Sequence, residues 1–195
     1  MKEDSGFYAL LSRMRFISRW GLMRSSIPEN IQEHSHEVAV YAHALGMIRR
    51  EIFHKECDPE HLAVMALFHD ASEILTGDLP TPIKYHDDAL RTAYKEVEAK
   101  AGDVLVSLLP EELQKAYQPV VAPAEEDLLV KAADKLSALV KCIQERKAGN
   151  SEFSSAEKQT RSSLENMHIE EVDWFMAHCL SAFEKNLDEL GANNL

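Results

Sequence analysis

Glycine and cysteine are both scarce in this 195-residue chain, which holds seven of the first and three of the second. So few glycines, with no Asn-Gly or Asp-Gly pair between apolar runs, argue against a fold built from β-hairpins. Cys57, Cys142 and Cys179 are odd in number and show no Cys-x-x-Cys spacing. They fit free thiols in a reducing compartment better than a disulfide framework. Basic charge is short as well. Lys and Arg number 21 against 33 Asp and Glu, a formal net charge of −12. That balance repels a polyanion and argues against general nucleic-acid binding. It leaves room for a small phosphorylated substrate, because one arginine or one metal ion can hold a single phosphate. No apolar run reaches the roughly 18 residues of a membrane span. The first residues, MKEDSGFYALLSRMRF, lack the continuous apolar stretch and small-residue cleavage site of a secretory signal. The expectation is a soluble cytoplasmic protein with a single domain over residues 1–195, long enough to bury its own core.

What is present is helical periodicity. Phe7, Leu10, Leu11, Met14 and Ile17 form one apolar stripe, expected to stop near Gly21. Ile31, His34, Val38, Ala42, Leu45 and Ile48 form a second, entered through Pro28. Asp58-Pro59 reads as N-cap and first residue of a third helix, carrying Leu62, Met65, Ala66, His69 and Glu73 to Gly77. A long helix with Leu90, Tyr94, Val97, Ala101, Val104 and Leu108 is broken by Pro110, and Glu111 to Tyr117 reads as one short turn. Another helix runs from about Ala124 to Lys147. Phe153 to Leu190 reads as two more, the last with Val172, Phe175, Met176, Cys179, Phe183 and Leu187 on one face. No segment alternates as a strand does. The fold class is all-α, a bundle of six to eight helices.

Polar side chains inside these apolar stripes carry the chemical information. His69 and Asp70 are adjacent, and the preceding residues, Ala63 to Phe68, are all apolar. A helix apolar on nearly every side is buried. An ionised Asp buried beside a His costs several kcal/mol unless something neutralises it, on the order of the penalties for buried charge. A divalent cation would do so. His34 lies in the apolar stripe of the preceding helix, and Asp134 lies in KAADKLSAL. A lone core histidine is more often simply hydrogen-bonded, and a lone Asp in a helix more often pairs with a lysine such as Lys131 or Lys135. The joint pattern His…His-Asp…Asp, spread over three helices that can meet, favours a shared metal site. Glu33 and Ser35 flank His34 as candidate support. Glu73, one turn after His69, is a candidate acid or base beside the metal. Arg19 could grip a phosphate and Trp20 wall a pocket. The loop GDLPTP (77–82) directly follows the metal helix, so its residues could reach a substrate.

These residues resemble the H…HD…D signature of the HD superfamily of metal-dependent phosphohydrolases. More narrowly, SRW (18–20), ENIQEHSHEVA (29–39), HDASEILTGDLPTPIKY (69–85) and KAADKLSA (131–138) resemble the bacterial HD-domain 5′-deoxynucleotidases of the YfbR type. The resemblance runs from about Phe7 to Leu187 and is looser after Gly149. It implies hydrolysis of deoxyribonucleoside 5′-monophosphates, with loose base recognition and rejection of ribonucleotides. It implies one divalent ion, Co²⁺ or Mn²⁺, held by His34, His69, Asp70 and Asp134, and catalytic roles for Glu73 and Arg19. Substrate contacts would come from Arg19, Trp20, His34, Asp78, Leu79, Pro80 and Thr81. Trp20 would stand where a 2′-hydroxyl would clash, and Asp78 would accept from the 3′-hydroxyl. A homodimer is implied, with no nucleic acid or membrane partner. The rival readings are an HD-superfamily phosphodiesterase or triphosphohydrolase and a non-catalytic helical sensor. Two-metal HD enzymes need extra histidines between the HD pair and the last Asp, and only His86 lies there.

Overall fold

A computed structural model describes residues 4–80, 87–124 and 127–191. The chain runs through α1 (Phe7–Leu11), α2 (Ile31–Met47), α3 (Pro59–Phe68), α4 (Glu73–Thr76), α5 (Asp88–Ser107), α6 (Glu111–Val121), α7 (Leu128–Lys147), α8 (Ser154–Glu165) and α9 (Glu170–His178). Short 3₁₀ turns follow α1 and α9. Among the described residues the only strand-like pairing is one antiparallel bridge, Ser18 with Asn30.

Side-chain chemistry starts the long helices. Asn30 accepts from the Gln32 and Glu33 amides, while the Glu33 carboxylate accepts from the Asn30 amide, a complete capping box for α2. Asp58 caps α3 through the His61 amide, with Pro59 at the first helical position. Asp127 caps α7 through Leu129 and Val130.

The main core joins α2, α3, α7, α8 and α9. Val38, Ala42, Leu45, Leu136, Leu139, Val140 and Val172 are fully buried in it. Each such large aliphatic side chain contributes about 1.5–3 kcal/mol of transfer free energy. Helix α2 packs against both α3 and α7. It comes so close to α3 that a Cβ on Gly46 would stand 2.9 Å from the Pro59 Cα. A second cluster, around Phe7, Ala71, Leu105, Val106, Leu109 and Val121, closes the other end.

The structure departs from the sequence pattern in five places. The first stripe is not one helix, because α1 tightens into a 3₁₀ turn over Ser12–Phe16 and Ile17 is extended. The third helix is interrupted after Phe68. Residues His69 to Ser72 form turns before α4 begins. Its apolar content also misled, since Val64 and Leu67 are exposed. On α5, Ala101 is buried as expected, but Leu90, Val97 and Val104 face outward, and Gly102, Leu105 and Val106 are buried instead. Helix α6 is longer than one turn and accommodates Pro119 near its end. The last helix stops at His178, and Leu187 is exposed.

Candidate metal and phosphate site

The interruption after α3 is what makes the site. A continuous helix would send adjacent side chains about 100° apart. The turn at 69–72 lets both His69 and Asp70 face the first turn of α2. His69 Nε2 lies 3.3 Å from Asp70 Oδ2, and His34 Nε2 lies 3.6 Å from the same oxygen. One ligand atom from each of His34, His69 and Asp70 falls within 4.8 Å of the others. Asp134, from α7, brings Oδ1 to 3.0 Å from His34 Nε2. Arg19 Nη1 is 3.3 Å from Asp70 Oδ2.

These spacings suit a cation. Donors bound to one ion at about 2.0–2.2 Å stand about 3.0–3.6 Å apart when they subtend roughly 90–120°. Both imidazole nitrogens facing the cluster are buried and make no aligned hydrogen bond. The opposite nitrogens are engaged. His69 Nδ1 bonds to the Ala66 carbonyl at 2.7 Å, and a carbonyl only accepts, so Nδ1 carries the proton and Nε2 is turned to the site. His34 Nδ1 lies 3.1 Å from Ser137 Oγ.

The electrostatics agree. Burial pulls the His69 imidazolium down. The Asp70 carboxylate, with Asp134 behind it, outweighs that and pushes the group up to about 9. Burial pushes the Asp70 and Asp134 carboxyls up, yet the neighbouring histidines and Arg19 hold both well below the usual carboxylate range. Both carboxylates are therefore ionised, and a divalent cation could take over the positive charge that the imidazoles supply here.

Arg19 and Trp20 come from the segment between α1 and α2. That segment folds back on itself, with the Arg19 amide donating to the Glu29 carbonyl at 3.0 Å and the Ile31 amide to the Ile17 carbonyl at 3.0 Å. Trp20 adopts a left-handed backbone with φ of 60°, unusual for a bulky residue. Its indole N–H donates to Glu29 Oε2 at 2.6 Å, and its ring packs on Phe153 with centroids 5.2 Å apart. Arg19 Nε lies 3.4 Å from the same Glu29 oxygen. The far end of the segment is pinned by α7. Glu145 accepts from the Ser26 and Ile27 amides at 2.8 and 3.0 Å and from Lys141 at 2.6 Å.

Glu73 is buried at the start of α4, its amide bonded to the Asp70 carbonyl at 3.0 Å. Asp78, Leu79 and Pro80 follow Gly77, which turns the chain at φ of 75°. Burial works against the Arg19 charge, and the carboxylates of Asp70, Asp134, Glu29 and, least, Asp78 favour it. Thr81 lies outside the described residues. Among the site residues expected from sequence, the structure brings together His34, His69, Asp70, Asp134 and Arg19. The expected support by Glu33 and Ser35 is corrected. Glu33 is exposed and caps α2, and Ser35 Oγ has no hydrogen-bond partner among the described residues. The supporting groups are Glu29, Ser137 and Glu37. Ser137 stands three residues after Asp134, one turn along the same face, and that spacing was the available signal.

Comparison with known proteins agrees with this architecture. The family model described as 5′-deoxynucleotidase YfbR-like matches residues 6–183. A 5′-deoxynucleotidase of Vibrio atlanticus is 43% identical over 192 residues, covering 96% of this chain and 99% of its own. An HD-domain phosphohydrolase from Listeria innocua superposes with a TM-score of 0.79 at 25% identity, covering 91% of this chain and 87% of that one. The cyanophage S-2L HD phosphohydrolase DatZ, bound to dA and one catalytic Zn²⁺ ion, shares the fold at TM-score 0.61 and 20% identity, covering 91% and 96%. An all-α HD architecture, a family match over nearly the whole chain and full-length relatives at this identity lead to one conclusion: the chain belongs to the YfbR-like 5′-deoxynucleotidase family.

Proposed function

We propose that this enzyme hydrolyses deoxyribonucleoside 5′-monophosphates to deoxynucleoside and phosphate, and that it turns ribonucleotides away. The observation that carries the reading is the convergence of two imidazoles and the Asp70 carboxylate within 4.8 Å of one another, with the Asp134 carboxylate 3.0 Å from His34 Nε2 and the Arg19 guanidinium on Asp70. Full-length relatives that bear this activity in their names support it.

In this reading His34, His69, Asp70 and Asp134 hold one divalent ion. Mixed nitrogen and oxygen donors suit Co²⁺ or Mn²⁺. Such an ion supplies Lewis acidity toward a phosphoryl oxygen and toward the attacking water. The chain's own residues do the rest. Arg19 has Nη1 on Asp70 and Nε beside Glu29, and Nη2 is the donor left for phosphate. His34 borders the same phosphate position. Glu73 gives a proton to the departing 5′-oxygen. Asp78 accepts from the sugar 3′-hydroxyl, while Leu79 and Pro80 shape the loop around the substrate. The Trp20 indole, braced by Glu29 and Phe153, is the wall against a 2′-hydroxyl. A fixed wall is needed, because an apolar pocket that merely lacks a partner discriminates only about a hundredfold.

The enzyme works in the cytoplasm as a homodimer on this reading. Its three free thiols suit a reducing compartment. An apolar groove of about 710 Å³, lined by Tyr8, Leu11, Met14, Leu67 and Phe68, gives a second copy a surface to cover. Sedimentation of the purified chain tests the dimer.

Hydrolysis of dAMP, AMP, cyclic AMP and dGTP, each with Co²⁺, Mn²⁺ and Mg²⁺ and followed by chromatography of the products, tests the activity. Turnover of dAMP alone is expected. Equal turnover of AMP removes the sugar selectivity, and no turnover with any metal removes the hydrolase reading.

A further inference from the structure

Behind His34 runs a partly buried chain of hydrogen bonds. His34 Nδ1 lies 3.1 Å from Ser137 Oγ, and Ser137 Oγ donates to Glu37 Oε2 at 2.6 Å. Tyr41, one turn beyond Glu37 on α2, donates its hydroxyl to Glu37 Oε1 at 3.0 Å. His34, Ser137 and Tyr41 are all buried. The direction of the chain follows from counting hydrogens. A carboxylate only accepts. The Tyr41 phenol remains a donor, because burial and the Glu37 charge push it far above its ordinary value. Ser137 has one hydroxyl hydrogen, and it lies on Glu37. Toward His34, Ser137 therefore accepts, and the His34 proton sits on Nδ1.

We propose that Ser137 and Glu37 are positioning residues that lock His34 in its Nδ1–H tautomer and so keep Nε2 free for a divalent cation. The cation part rests on the reading of His34 as a metal ligand; the tautomer part stands without it. The two histidines are held by different means. His69 leans on a backbone carbonyl that no substitution removes, whereas His34 depends on side chains from two helices. With Ser137 deleted, the carboxylate oxygen nearest Nδ1 is Glu29 Oε1 at 4.0 Å, beyond hydrogen-bond reach, and the imidazole is free to move its proton to Nε2, where it blocks metal binding. With Glu37 deleted, the Ser137 hydroxyl can turn and donate to Nδ1, which gives the same wrong tautomer.

The test uses the full chain as wild type, Ser137→Ala and Glu37→Ala. Zn²⁺ affinity is measured by competition with a chelating dye, and the His34 tautomer by ¹⁵N NMR of the imidazoles with and without Zn²⁺. Wild type should show His34 as Nδ1–H. Each variant should lose roughly 10- to 100-fold in Zn²⁺ affinity, the usual cost of removing such support, with increased Nε2–H at His34 in the metal-free form. Wild-type affinity in both variants overturns the proposal, as does Nε2–H at His34 in the wild type. If one variant fails to fold, the other decides. A wild type that binds no Zn²⁺ counts against the metal reading and the cation part, and its tautomer still decides the lock.

Discussion

The indole N–H of Trp20 and the guanidinium Nε of Arg19 meet on a single oxygen, Oε2 of Glu29, at 2.6 and 3.4 Å. One carboxylate therefore sets the position of both residues assigned to the phosphate and the sugar. Hydrogen bonds to a charged group contribute about 1.5–3 kcal/mol. Glu29→Ala is expected to lower kcat/KM for dAMP roughly ten- to a hundredfold, by the same range. It should also narrow the preference for dAMP over AMP. Steady-state kinetics on both substrates check this.

Trp20→Ala removes the wall and leaves Arg19 in place. Hydrolysis of AMP should rise relative to dAMP, while activity on dAMP falls less. An unchanged ratio of the two rates would remove Trp20 from sugar discrimination.

Chelation should abolish turnover, and added Co²⁺ or Mn²⁺ should restore it. Asp70→Asn should not be restored at the same metal concentration, because it removes the carboxylate that stands 3.3 and 3.6 Å from the two imidazoles. Metal content of the purified variant and its activity are the two measurements.

Glu145 is fully buried and pinned by Lys141, Asn150 and two backbone amides. Burial pushes its carboxyl up, but these donors hold it far below its ordinary 4.5. A depressed folded value stabilises the fold fully above the unfolded value of 4.5, and the contribution is lost as pH falls from there through the folded value. Glu145→Gln leaves the Lys141 ammonium buried without its counter-charge, at about 3–5 kcal/mol. Urea unfolding should show that deficit near pH 7 and a shrinking one below pH 4.5.

Gly46→Ala sets two terms against each other. Helix propensity gains up to about 1 kcal/mol. The added methyl meets Pro59 Cα at 2.9 Å, and that backbone atom cannot swing aside. Overpacking of this kind costs about 1–3 kcal/mol, so a lower melting temperature is expected.

The candidate site was legible because imidazoles and carboxylates inside apolar stripes demand neutralisation. His34, His69, Asp70 and Asp134 stand out for that reason, whatever the helix ends. The break after Phe68 was not legible. Ala63 to Phe68 favour helix locally, and only packing of Ala71 into the second cluster shows why the chain turns there. The left-handed Trp20 and its Glu29 brace were hidden for another reason. They depend on residues 17–31 folding back on themselves, which no periodicity records. Ser137 and Glu37 had the right spacings but ordinary chemistry, and only the 2.6 Å contact between them gives them meaning.

Helix α7 carries Asp134 and, three turns further on, Glu145, which grips the segment bearing Arg19 and Trp20. A single helix thereby links the proposed cation ligand to the segment that bears the proposed phosphate-binding arginine. Eleven residues at about 1.5 Å of rise each separate Asp134 from Glu145 along α7, so the distance between these two anchor points is set inside one helix and not by how two helices pack.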